Sequence, residues 1–195
     1  MNIKNRNLRP KRAFTLIETL VAVSIVTFAV AGPLYSAYRS LVATELARDR
    51  LTASYLAQEG IEYVRMVRDN KYLAAYNAGD TDTAWDDFLD SIPCTSAVSC
   101  TLDPVLPLGT GLQECPSTGC TPLYLRDNNG TSNVYTQNSD FGSPVTHVGT
   151  SFIRSIYRLN APALPSNERI VSRVRWNFHN KWYSVVINDH LTPWQ

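Results

Sequence analysis

The first 13 residues contain no acid, and the 21 that follow contain one charged side chain, Glu18. Met1–Ala13 instead holds Lys4, Arg6, Arg9, Lys11 and Arg12, five of the chain's 18 basic residues. Without them 13 basic residues face 17 acids, so the formal net charge moves from +1 to about −4. The body of the chain therefore lacks the positive surplus that draws proteins to nucleic acid, and no nucleic-acid partner is expected. Histidine is scarce too: His147, His179 and His190 are scattered, none at metal-ligand or triad-like spacing from a partner. There is no phosphate-cradling glycine loop, because Gly109-Thr110-Gly111 lacks the strand and helix such a loop joins. These absences exclude the common catalytic constellations. The expectation is a non-enzyme with no cofactor and no metal.

What the chain does have is divided sharply along its length. All four cysteines, Cys94, Cys100, Cys115 and Cys120, fall in one Pro/Gly/Ser/Thr-rich stretch. An even, clustered set of this kind reads as two disulfides formed in an oxidising compartment. Of the three possible pairings the local one, Cys94–Cys100 with Cys115–Cys120, closes the shortest loops. A zinc site would prefer two to four residues between paired ligands and a nearby histidine. The gaps here are five and four, and no histidine is close.

Phe14 to Leu34 reads FTLIETLVAVSIVTFAVAGPL. As a helix these residues would span roughly 31 Å, about the thickness of a bilayer's hydrocarbon core. The basic leader holds that end in the cytoplasm and places the C-terminal bulk outside, in agreement with the cysteines. A cleaved secretory signal is a competing reading, with Ala29-Val30-Ala31 as its small-residue site. A plain signal anchor is another. Both leave Glu18 unexplained at the start of the apolar run, where a carboxylate costs on the order of a few kcal/mol and normally marks function. Cutting the chain before Phe14 would create a terminal ammonium four residues from Glu18. In a helical stack of copies that amine could meet a neighbour's Glu18 and set axial register.

Lys11-Arg12-Ala13-Phe14-Thr15-Leu16-Ile17-Glu18, followed by the apolar stretch, resembles the N-terminal signal of type IV prepilins and type II secretion pseudopilins. The resemblance is specific over about residues 11–35. It implies cleavage by a membrane prepilin peptidase between Ala13 and Phe14, N-methylation of Phe14, and a role for Glu18 in assembly. The family usually has Gly before the cut; Ala13 is the next smallest residue. Implied partners are other pilin or pseudopilin subunits, prepilin peptidase, an inner-membrane assembly platform, and the lipid bilayer before assembly. The implied location is the cytoplasmic membrane, single-pass with the N-terminus inside, and then an extracellular or periplasmic filament.

The helical pattern continues past the bilayer. Leu34, Tyr38, Leu41, Val42, Leu46, Ala53, Leu56, Ala57, Gly60, Val64 and Val67 recur mostly three and four apart. Arg65 and Asp69 form an i,i+4 pair. Gly32-Pro33 predicts a kink, a loosened turn or a division into two helices. From Phe14 to Asn70 a continuous helix would run roughly 85 Å.

In the remainder, Thr83-Ala-Trp-Asp86 has the form of a capping box opening a helix over Ala84–Ile92, stopped by Pro93. Asp80, Asp82, Asp86 and Asp87 read as helix-start acids rather than a calcium loop, since no Gly and Glu stand at EF-hand spacing. Strands are predicted at Pro122–Arg126 and Asn133–Thr136, flanking a turn at Asp127-Asn-Asn-Gly130. Three more follow at Phe152–Leu159, Ile170–Phe178 and Trp182–Ile187, the last two joined by a turn at His179-Asn-Lys181. Arg154, Arg158, Arg173, Arg175 and Lys181, interleaved with Trp176, Trp182 and Tyr183, read as a solvated sheet face rather than a basic binding patch.

The fold expected is α+β: a long N-terminal helix, half membrane-spanning and half packed on a C-terminal antiparallel sheet of four or five strands. The divisions are a leader at 1–13, an assembly helix at 14–34 and its continuation at 35–70. An extracytoplasmic head occupies 71–195, with disulfide loops over 94–120 and the sheet over 122–191. The function expected is that of a minor pilin or pseudopilin, resembling the PilV-like type IV modification class. The alternative is a membrane-anchored extracytoplasmic binding module that never polymerises.

Overall fold

The computed structural model describes residues 14–127, 133–137, 146–160 and 167–193. The chain divides into two compact units, Met1–Glu45 and Leu46–Gln195. Helix α1 runs Leu16–Ala78 and α2 runs Ala84–Asp90. The strands are β1 (Cys100–Leu102), β2 (Leu112–Glu114), β3 (Tyr124–Asp127), β4 (Asn133–Thr136), β5 (Thr146–Gly149), β6 (Phe152–Asn160), β7 (Glu168–Phe178) and β8 (Lys181–Leu191). A long N-terminal helix followed by antiparallel sheets makes the fold α+β.

Helix α1 is unbroken past Pro33, so it is not divided into two helices there. Proline removes one donor, whereas leaving the helix in an apolar segment would strand several backbone groups. It also ends eight residues later than Asn70. Gly79, at φ +81°, takes the left-handed position after the last turn. Gly79 N donates to Tyr76 O and Asp80 N to Ala75 O, both at 3.1 Å, the paired bonds of a Schellman stop.

In the second unit α1 buries Ala53, Leu56, Ala57, Gly60, Ile61, Val64 and Val67, a stripe of three- and four-residue steps. Ala53, Leu56 and Ala57 pack with Leu123, Phe152, Val174 and Trp176. Ile61, Val64 and Val67 pack with Phe88 of α2 and with Leu102, Ile156, Ile170 and Leu191 from the sheet. Each large apolar side chain so enclosed contributes about 1.5–3 kcal/mol. The small residues on this stripe let the sheet approach the helix backbone closely.

The strands form two sheets rather than one. The larger has the order β2-β1-β6-β7-β8 and the smaller β4-β3-β5. Strands β3 and β4, expected to extend the main sheet, build the smaller one with β5 instead, and the cysteine segment supplies β1 and β2. Gln137, 3% exposed, connects them. Its Nε2 donates to Thr121 O and Arg154 O, and its Oε1 accepts from Leu102 N. The β7–β8 hairpin turns on His179 and Asn180, both at positive φ, the backbone of a two-residue type I′ connection. Of the turn expected at Asp127–Gly130, Asp127 ends β3 and residues 128–130 lie outside the described residues.

The Thr83 capping box is not formed. Thr83 is in a helical conformation with no side-chain cap bond. Ala84 N instead donates to Thr81 O, so the preceding turn's backbone does the capping. The helix stops at Asp90, short of Ile92. Arg65 does not pair with Asp69 either. It binds Asp189 of β8 at 2.9 Å and Glu62 at 2.6 Å, while Asp69 meets Arg68. The hydrogen bond that Arg65 donates to the Asp189 carboxylate is the main reason the Arg65 pKa is raised.

Candidate assembly and processing site

The start of α1 is built by Thr15. Its Oγ1 accepts a hydrogen bond from Glu18 N at 3.3 Å, and its carbonyl accepts from Glu18 N and Thr19 N. Thr15-Leu16-Ile17-Glu18 thus has the spacing of a capping box, a helix-start signal carried by the residues themselves. Glu18 falls in the first helical turn, where the helix dipole favours an anion.

Over residues 14–34 the other polar side chains are satisfied within the helix. Thr19 Oγ1 donates to Leu16 O, Ser24 Oγ to Val21 O and Thr27 Oγ1 to Val23 O, each at 2.8 Å. These hydroxyls reach back one turn, which removes their desolvation cost in an apolar surround. Glu18 has no side-chain partner among the described residues. Around it Phe14, Leu16, Ile17 and Leu20 are exposed, as are Val21, Val23, Ile25, Val26 and Phe28 farther along. The helix is long and apolar enough to cross a membrane, and none of that window is buried. The expected stripe residues Leu34, Tyr38 and Leu41 are exposed as well. Ala13 and the leader lie outside the described residues, so of the expected cleavage pair only Phe14 is described, two residues before α1 begins.

The cysteines lie in the second unit, paired locally. Cys94–Cys100, with Cα atoms 5.4 Å apart, fastens the segment after α2 to the first residue of β1, and both sulfurs belong to fully buried residues. Cys115–Cys120, at 4.6 Å, closes a surface loop after β2. Among the described residues no group of three or more His, Cys, Asp or Glu side chains converges. Asp80 Oδ1 accepts from Asp82 N in a local turn. The basic set on the sheet does not gather on one face. Arg154 is wholly buried: its Nη1 donates to Glu59 and to Leu56 O, its Nη2 to Leu102 O. Burial lowers its pKa, an effect that Glu59 opposes. It projects inward because β6 alternates sides, a period the sequence shows but whose sign it does not.

Residues 8–32 match the family model described as the prokaryotic N-terminal methylation motif. That match supports a type IV prepilin/pseudopilin-type protein, a subunit that is processed at its N-terminus. Such a motif implies processing by prepilin peptidase and assembly with other pilin subunits. With the apolar helix it fits a membrane-anchored, single-pass protein, and the two disulfides fit the same class. No curated protein and no solved structure matches the chain.

Proposed function

We propose that this chain is a minor pilin or pseudopilin, cleaved between Ala13 and Phe14, N-methylated on Phe14, and built through α1 into a type IV pilus or a type II secretion-like pseudopilus. It acts structurally and catalyses nothing. It is inserted with its basic leader inside, and the assembly platform of the inner membrane extracts it into the filament. The observation that carries the reading is the state of Glu18. It is the one polar side chain of residues 14–34 with no hydrogen-bond partner among the described residues, in a surround of exposed apolar side chains. A carboxylate so placed needs a cation from outside its own helix. The methylated amine of a neighbouring copy, created by the cut four residues upstream, has the right charge and the right depth.

Replacing Glu18 by Ala in a host with a working pilus machine tests this. The variant should remain in the membrane fraction and vanish from sheared filaments. Normal filament incorporation of Glu18→Ala would overturn the role given to Glu18, and absence of the unaltered chain from sheared filaments would favour the membrane-anchored module that never polymerises.

A further inference from the structure

Ser172, Val174 and Trp176 of β7 are buried, with Ser172 against Gly60 of α1. The alternate positions, Arg173 and Arg175, project from the other face of the sheet. Two residues apart on one strand, their Cα atoms are about 7 Å from each other. Neither guanidinium has a carboxylate partner among the described residues, whereas Arg65, Arg68 and Arg154 in the same unit all do. The Nε of Arg173 is buried without a hydrogen-bond partner. Aromatic rings hold both side chains in place instead: Arg173 over Tyr157 at 5.9 Å and Arg175 over Trp182 at 5.8 Å.

These two arginines form one wall of a pocket of about 310 Å³. The loop closed by Cys115–Cys120 forms another, and Ser99, Ser117 and Ser155 add hydroxyls. None of the residues lining it is acidic, and its two sulfurs are tied up in the disulfide. Two forked cations with adjacent hydroxyls and no carboxylate among them offer a surplus of donors, the complement of a planar or tetrahedral oxyanion. The volume is at the small end of ligand pockets. A polyanion would need a continuous basic strip, and Arg154, which might have extended it, is enclosed and paired with Glu59.

We infer that this pocket binds one small oxyanion-bearing ligand, a carboxylate or a phosphate group, between Arg173 and Arg175. The inference is independent of the prepilin reading, since it uses residues of the second unit alone. Isothermal titration calorimetry of the full chain in uncharged detergent micelles tests it. The buffer should hold about 150 mM salt, where loose surface charge is largely screened. The probes are inorganic phosphate and, separately, glucuronate. Saturable binding of at least one is expected, weakened tenfold or more in Arg173→Gln and in Arg175→Gln. Arg175 is exposed, so its variant keeps the fold even if the Arg173 variant does not. Binding of phosphate alone would identify a phosphate-type ligand, and of glucuronate alone a carboxylate. Failure of both probes to bind, or binding unchanged in a folded Arg175→Gln variant, would overturn the assignment.

Discussion

Gly60 of α1 meets Ser172 of β7 so closely that a methyl group on the glycine would stand 2.5 Å from the serine Oγ and 3.0 Å from Ile156 Cδ1. The contact sets how near the helix lies to the larger sheet. Rotating the serine hydroxyl cannot clear it alone, because the serine Cβ would itself be 3.3 Å away. Gly60→Ala should therefore destabilise the second unit by about 1–2 kcal/mol, overpacking outweighing the gain in helix propensity. A companion Ser172→Gly change should restore part of the loss. Thermal melts of the three variants check both expectations.

Arg154 and Glu59 give a second test. The arginine is fully enclosed, while the glutamate side chain keeps 38% of its exposure. Glu59→Gln leaves a buried guanidinium without its counter-ion. Because water reaches the carboxylate, the expected cost is about 2–3 kcal/mol, below the roughly 3–5 of a wholly buried pair. Arg154→Ala should cost more, since it removes the donor to the Leu102 carbonyl and leaves a cavity where a large buried side chain was. Chemical denaturation reads the difference. The pH dependence is fixed in sign by Arg65. Its raised pKa means that this stabilisation is complete below the value of an unfolded arginine and is lost only as pH rises through the higher folded one. Stability near neutrality should not respond to it.

Gln137 joins the two sheets through three backbone groups. Gln137→Ala leaves Leu102 N buried without its acceptor, at about 1–3 kcal/mol. Faster amide exchange at Leu102, relative to Val174 in the middle of β7, is the specific signature.

The two disulfides should differ in reactivity. Both cysteines of Cys94–Cys100 are fully buried, and those of Cys115–Cys120 are partly exposed. Thiolate attack needs access, so mild reductant with mass-spectrometric alkylation mapping should label Cys115 and Cys120 first. Removing Cys94–Cys100 by double alanine substitution should cost about 2 kcal/mol of the unit's stability.

Much of this architecture is legible in the residues themselves. The buried stripe from Ala53 to Val67, the alternation in β7, the His179-Asn180 turn and the local cysteine pairs all follow from short-range pattern. What escaped was non-local or shared between signals. The link that Gln137 makes between the two sheets runs to backbone groups 16 to 35 residues away. Arg154 looked like a surface residue because its side of β6 is decided by the helix lying over it. Thr83 had the right neighbours for a cap, yet the backbone turn at Thr81 already filled that role. At Thr15–Glu18, which has the same spacing, the threonine half of the motif is made: Thr15 Oγ1 accepts from Glu18 N. The exposed apolar residues from Phe14 to Leu41 carry the N-terminal signal clearly, but a sequence pattern does not tell lipid from a neighbouring subunit.

The intact mass and N-terminal sequence of the protein recovered from filaments test the central claim most directly. The account predicts a chain that starts at a monomethylated Phe14, with residues 1–13 gone. A chain still carrying Met1–Ala13, or one beginning at Gly32, would contradict it.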